Sequence, residues 1–187
     1  MPKQTKKDLI LSVAKKHFSE KGYDATGMDE IALSACVPKS LIYYHFKNKE
    51  DLLNRIITDF LGEYERILQD GSQRGIDKIS RYVQFLEENS ESARIILTES
   101  FKPAGNNYTS IFKAVEILRN NDSEPSKHPH WVAEFFTSML PALLFVCYSE
   151  SWCKYFNVQP ETLAKDFSNA YKLTHGAYHE HIKKESL

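Results

Sequence analysis

Residues 36–53 read CVPKSLIYYHFKNKEDLL, and Lys39, Ser40, Tyr43, Tyr44, His45, Lys47 and Lys49 crowd ammonium, hydroxyl, phenol and imidazole groups into that stretch. A buried helix has no use for two phenols and an imidazole in a row. A plain surface helix would not leave that much aromatic area in water. Phenols and imidazoles are compact partners for phosphate oxygens, and their rings can lie against sugars or thymine methyls. Flanking lysines add the charge that releases counterions from a polyanion. The chemistry on offer is recognition rather than bond making.

Other constellations offer less. His175 and His179 stand four apart, a spacing that can share a metal ion on a helix, but no third ligand is placed, and both read as solvated residues of a helix flank. His128-Pro129-His130 reads as loop. Cys36, Cys147 and Cys153 cannot pair fully and match no zinc spacing, which suits a reducing, cytoplasmic setting. There is no Gly-rich phosphate loop and no Ser/His/Asp pattern in a recognisable context. An enzyme is not expected, nor any metal or cofactor.

Short helices must position the opening residues. Thr5 and Asp8 form a capping box, Ile10, Val13, Ala14 and Phe18 make one apolar face, and Gly22 suits the helix end. A second helix should start near Thr26–Gly27, with Asp29 or Glu30 as the answering carboxylate, and run to about Ala35. A third starts at Pro38, whose missing N–H costs nothing in a first turn, and ends near Tyr44. In that helix Ile42 and Phe46 can face a small core with Ile31 and Val37, leaving Ser40 and Tyr44 outward and Tyr43 on the flank. Asn48 and Asp51 make another capping box, followed by a long stripe of Leu52, Leu53, Ile56, Ile57, Phe60, Leu61, Tyr64, Ile67 and Leu68.

Short helix, turn, short helix is the arrangement that lays its second helix in the major groove of DNA. On spacing alone, a helical hairpin whose aromatics cover a domain interface fits equally well.

The bulk numbers are those of an ordinary globular chain: 187 residues, 42% hydrophobic, 26% charged, net charge −1. The charge is uneven, with +3 on residues 1–50 and −4 on the remainder, which suits a polyanion partner for the head. The N-terminus lacks a signal-peptide core, and the greasiest run, Phe135 to Tyr148, reads as too short to span a membrane. No stretch sustains strand-like alternation. The expected fold is therefore all-α, about nine helices. Residues 1–48 would be a helix-turn-helix head. Residues 49–187 would be a body with helices at Ile76–Leu86, Ser92–Phe101, Tyr108–Leu118, Trp131–Phe156, kinked at Pro141, and Pro160–Ile182.

The run from Gly22 to Leu52, GYDATGMDEIALSACVPKSLIYYHFKNKEDL, closely resembles the signature of the tetracycline-repressor (TetR) family, ungapped from about Ile10 to Ile57. The resemblance implies a homodimeric transcriptional repressor whose head binds a palindromic double-stranded DNA operator and whose body binds a releasing small molecule. It places Lys39, Ser40, Leu41 and Tyr43 where that family reads base edges and phosphates. Tyr44, His45 and Lys49 fall on phosphate-contacting positions, and Thr26, Gly27 and Met28 at the start of the helix that crosses the backbone. Lys47 adds charge beside them. Three departures stand out. Cys36 replaces the usual turn Gly, so the turn is expected to differ slightly, because a left-handed backbone would cost cysteine about 1 kcal/mol. Pro38 replaces the usual Ser or Thr cap. Leu41 replaces a small or polar residue, either to meet a thymine methyl or to tuck into the core.

In the body, Tyr82, Phe85, Phe101, Phe112, Phe135 and Met139 are candidates to line a cavity for an apolar effector, and ordinary core packing would account for each of them equally. The last two helices are the expected dimer surface. A regulator that senses no small molecule and answers to a protein partner is the alternative.

Overall fold

A computed structural model describes residues 5–69, 76–100, 102, 109–120 and 130–185. The regular elements among them are helices: α1 (Lys6–Lys21), α2 (Met28–Ser34), α3 (Lys39–His45), α4 (Lys49–Gln69), α5 (Ile76–Glu88), α6 (Ser90–Ser100), α7 (Thr109–Asn120), α8 (His130–Glu134), a π-helical segment (Phe135–Met139), α9 (Leu140–Phe156) and α10 (Pro160–Glu185). They divide into two compact units, Met1–Glu63 with Glu91–Ile111, and Tyr64–Ser90 with Phe112–Leu187.

The first unit starts from caps that the sequence dictates. Thr5 Oγ1 accepts the Asp8 amide and the Asp8 carboxylate answers at the Thr5 amide, both at 3.1 Å. Gly22 ends α1 at φ 85°, ψ 157°, a backbone region open essentially to glycine. Ile10, Ala14 and Phe18 of α1, Ile31 and Ala32 of α2, Val37, Ile42 of α3, Phe46, and Leu52, Leu53 and Ile56 of α4 are buried. Each fully buried Ile, Leu or Phe contributes about 1.5–3 kcal/mol. From α6 the unit takes Ala93, Ile95, Ile96 and Leu97.

Two caps differ from expectation. Thr26 does not cap α2: it is buried, and its hydroxyl donates to the Gly22 carbonyl at 2.9 Å. Gly27 is the N-cap, without a side-chain hydrogen bond. At α4, Asn48 Oδ1 accepts the Asp51 amide at 2.8 Å, but the Asp51 carboxylate takes the Lys47 amide instead of that of Asn48.

In the second unit, α9 packs against α5 and α10, and the π segment against α10. The cause of the π segment is Pro141, which has no amide proton and crowds the carbonyl four residues back. The turn ahead of it widens, so that the Leu140 amide reaches the Phe135 carbonyl, five residues back. The expected disturbance at Pro141 thus takes the form of an inserted residue, and the helix continues. In consequence Trp131–Phe156 is an unbroken 26-residue helix, long and apolar enough by composition to cross a membrane, which corrects the expectation that this region is too short. Its apolar surface is only partly covered within the chain. Met139, Ala142, Leu143, Phe145 and Cys147 are buried, while Phe136, Tyr148, Trp152, Tyr155 and Phe156 are exposed.

On α10 the seam runs through Phe167, Tyr171 and His175. Phe167 stacks on Phe145 at 4.0 Å, and Tyr171 and His175 are buried, whereas Ala170 and Thr174 face outward. His175 was expected to be solvated. It is buried because Thr137 Oγ1 lies 3.0 Å from its Nδ1 and Glu134 3.8 Å from its Nε2, so that its polar atoms have partners.

Candidate nucleic-acid interface

α3 is amphipathic in the way its residues require. Ile42 is fully buried and Phe46, just past the helix, nearly so. Lys39, Ser40, Tyr43 and Tyr44 lie on the exposed side, Tyr44 at 81% and Tyr43 at 47% exposure. Leu41 and His45 are half-buried. The His45 ring meets Tyr44 edge-on at 5.0 Å and lies 6.3 Å from Phe46, so it ties the exposed phenol to the core.

The turn into α3 keeps a left-handed residue. Cys36 stands at φ 51°, so the turn does not relax as the replacement of glycine led one to expect. Its neighbours hold it there: the Cys36 amide donates to Leu33 O and the Val37 amide to Ala32 O, both at 3.1 Å. Pro38 is the N-cap of α3, in extended conformation.

The lysines differ in their engagement. Lys47 is exposed. Lys39 Nζ bonds the Asp29 carboxylate of α2 at 2.7 and 2.9 Å, and this bond raises the ammonium above its ordinary range. Lys49 turns inward, donating to the carbonyls of Tyr23 at 2.9 Å and Thr26 at 3.0 Å, with that of Asp24 at 3.4 Å. Its ammonium also lies 4.3 Å from the centre of the Tyr23 ring. On α2, Met28 is half-buried and Gly27 exposed. Glu30 bonds Lys21, which holds its carboxyl below the usual range, with a smaller contribution from the Gly27 amide.

The candidate effector residues are scattered. Tyr82 and Met139 are buried and joined, the Tyr82 hydroxyl donating to the Met139 carbonyl at 3.4 Å. Phe85 is buried, Phe135 half-buried against Phe136, and Phe112 56% exposed. Phe101 lies outside the described residues. A polar group that sequence reasoning missed lies in this unit: Ser138 bonds the Tyr171 hydroxyl, and the Tyr64 ring lies 5.4 Å from that of Tyr82. Only the presence of Tyr, Ser and Thr among apolar positions hinted at it. Among the described residues, no group of three or more His, Cys, Asp and Glu could hold a metal.

Comparison with known proteins agrees with this geometry. Residues 10–56 match the model for bacterial regulatory proteins of the tetR family. The transcriptional activator FasR of Mycolicibacterium smegmatis is 30% identical over 108 residues, covering 54% of this chain and 49% of FasR. The negative regulator of the biofilm operon icaADBC in Staphylococcus aureus, IcaR, is 35% identical over 80 residues, 41% of this chain and 43% of IcaR. The chain therefore spans about half the length of the curated relatives it matches. In fold, it is similar to the transcriptional regulator FadR of Bacillus subtilis, solved in complex with stearoyl-CoA: TM-score 0.64 at 19% identity, over 89% of this chain and 96% of that one. An amphipathic α3 carried on a short α1–α2 core coincides with the matched segment, and residues 10–56 of the chain are a segment of the tetR family of bacterial regulatory proteins.

Proposed function

We propose that the protein is a homodimeric, cytoplasmic transcriptional regulator, a repressor that leaves a palindromic DNA operator when a small apolar effector binds. Residues 1–48 read the DNA and residues 49–187 bind effector and dimerise. The observation that carries this reading is the division of α3, with Ile42 sealed in the core while Lys39, Ser40, Tyr43 and Tyr44 stand in solvent. Tyr43 and Lys39 reach base edges and phosphates, with Ser40 and Leu41 beside them. Tyr44, His45 and Lys47 hold the flanking backbone, as do Thr26, Gly27 and Met28 at the start of α2.

A single head gives too little affinity, so two must bind half-sites about one DNA turn apart. The uncovered Phe136, Tyr148, Trp152, Tyr155 and Phe156, with Leu173 of α10, supply apolar area for pairing the last two helices of two copies. Tyr82, Phe85 and Met139 are the favoured floor of the effector site, and the acyl-CoA bound to FadR supports an apolar effector. An effector preferring the released state about 100-fold would bring roughly 2.7 kcal/mol to bear.

Titration onto the DNA flanking the protein's own gene tests the reading. Tight binding to one palindromic fragment, steeply weakened by salt and lost in a Lys39→Ala/Tyr43→Ala variant, is expected. Weak binding indifferent to sequence would overturn it. Melting with a panel of hydrophobic compounds then separates effector control, which raises the melting temperature, from control by a protein partner.

A further inference from the structure

Two ammonium groups converge on one ring at the turn between α1 and α2. Lys49, the first residue of α4, lies 4.3 Å from the centre of the Tyr23 ring, and Lys102, two residues past α6, lies 5.6 Å from it. The same two lysines also bind the turn by hydrogen bonds. Lys49 spends its N–H groups on main-chain carbonyls from Tyr23 to Thr26. Lys102 bonds the Asp24 carboxylate at 2.6 Å and that of Glu99 at 2.7 Å. The Tyr23 ring in turn meets Phe18 edge-on at 5.4 Å, and Phe18 is part of the core under α2 and α3.

The Glu99 side chain is only 4% exposed. An exposed lysine pair is worth little, but a buried carboxylate needs its cation, and removing one partner of such a pair is strongly destabilising locally. The contact is also long-range, since Asp24 and Lys102 are 78 residues apart. It joins the turn that feeds α2 to the end of α6 without passing along α4.

We propose that Lys102 and Lys49 are positioning residues for DNA recognition. With Tyr23, Asp24 and Glu99 they form an ionic latch that sets the α1–α2 turn, and so the placement of α2 and α3, and gives α6 a direct hold on the reading head. The latch rests on the DNA-binding reading above. It assigns Lys49 a different task from phosphate contact, because its donors are already taken by carbonyls. Lys102 acts from outside the groove.

The experiment compares Lys102→Met, Lys102→Arg, Lys49→Met and Lys39→Met on the genomic fragment that the wild-type protein selects, at several salt concentrations. Hydrogen exchange of residues 22–28 is measured without DNA. A lysine that neutralises a phosphate lowers the salt slope by about one when removed, whereas a positioning residue leaves the slope alone. Lys102→Met and Lys49→Met are expected to lose affinity roughly tenfold, within the range of positional coupling, with the wild-type slope and faster exchange in the turn. Lys102→Arg is expected to restore both. Should Lys102→Met fail to fold, Glu99→Gln/Lys102→Met removes the buried charge with its partner and takes its place. A slope lowered by one at Lys102 or Lys49 overturns the proposal, as does unchanged affinity with unchanged exchange. If the wild-type protein binds no DNA in a salt-dependent way, the DNA reading and the positioning role fall together; exchange that quickens in the Lys102 variant then still shows the turn to be held from α6.

Discussion

Lys39 on α3 is paired with Asp29 on α2, Nζ to Oδ1 at 2.7 Å, so a carboxylate holds one of the cations that the recognition helix presents. The pair is exposed, with 44% of the Lys39 side chain and 81% of that of Asp29 open to solvent. A bond of that kind is weak and exchanges readily, so on the proposed DNA reading it orients α3 in the free protein and gives up Lys39 to a phosphate or a guanine edge on docking.

Asp29→Asn is therefore expected to tighten DNA binding by roughly two- to fivefold, the worth of an exposed pair. It removes both a competitor for Lys39 and a charge that repels phosphate. Isotherms on the selected fragment at fixed salt check this, and unchanged or weaker binding would count against Lys39 as a contact.

Cys36→Gly should stabilise the protein by about 1 kcal/mol, because a left-handed residue other than glycine costs that much. At φ 51° the strain is real, and the turn's hydrogen bonds hold it in place. For a chain of this size the gain is a rise of about 2–4 °C in melting temperature. Cys36→Val is expected to shift it the other way.

High pH should destabilise the second unit. Burial pushes the Tyr171 hydroxyl up to about 12, its bond with Ser138 opposing this, and burial raises Tyr64 and Tyr82 as well. An unfolded tyrosine ionises near 10 while the folded one keeps its proton, so the native state binds more protons between those values and stability falls as pH rises through them. Tyr171 alone contributes a slope of about 1.4 kcal/mol per pH unit from about 10 to about 12. Denaturant titrations in that range should show it, reduced in Tyr171→Phe.

Tyr148→Glu/Trp152→Glu places two charges on the uncovered face of α9. Sedimentation is expected to show a wild-type dimer and a variant monomer with native helicity by circular dichroism, since exposed substitutions cost the fold within about 0.5 kcal/mol. A wild-type chain that sediments as a monomer would remove the dimer from the proposed mechanism.

Much of the head was legible without coordinates. The Thr5–Asp8 box, the Gly22 stop and the α4 stripe are local matters of capping and period, and they stand as read, Leu68 alone being half-covered; the α3 start lies one residue later than read, since Pro38 is its extended N-cap and not part of its first turn. The outward display of Ser40, Tyr43 and Tyr44 is local too, and follows from helical period once Ile42 and Phe46 point inward. The tetR-family segment lies in this same run of residues.

What needed the tertiary structure are the partnerships between residues far apart in the chain. Neither Lys49 nor Lys102 declares its target by spacing: Lys49 reads as a phosphate contact although it donates to carbonyls from Tyr23 to Thr26, and nothing near Lys102 in the sequence points to Asp24, 78 residues away. His175 read as solvated because a histidine is polar and its helix looked open. Thr137 and Glu134, on another helix, make its burial tolerable. Pro141 pointed to a disturbance but not to its form, which depended on whether neighbouring helices would hold the widened turn together. Sequence alone determined where chain segments form helices and which face each one hides, since both are set by residues within a few positions of one another. Tertiary structure decided which polar groups are spent inside the protein and which remain for a partner, because a charge finds its cheapest neighbour in space and not along the chain.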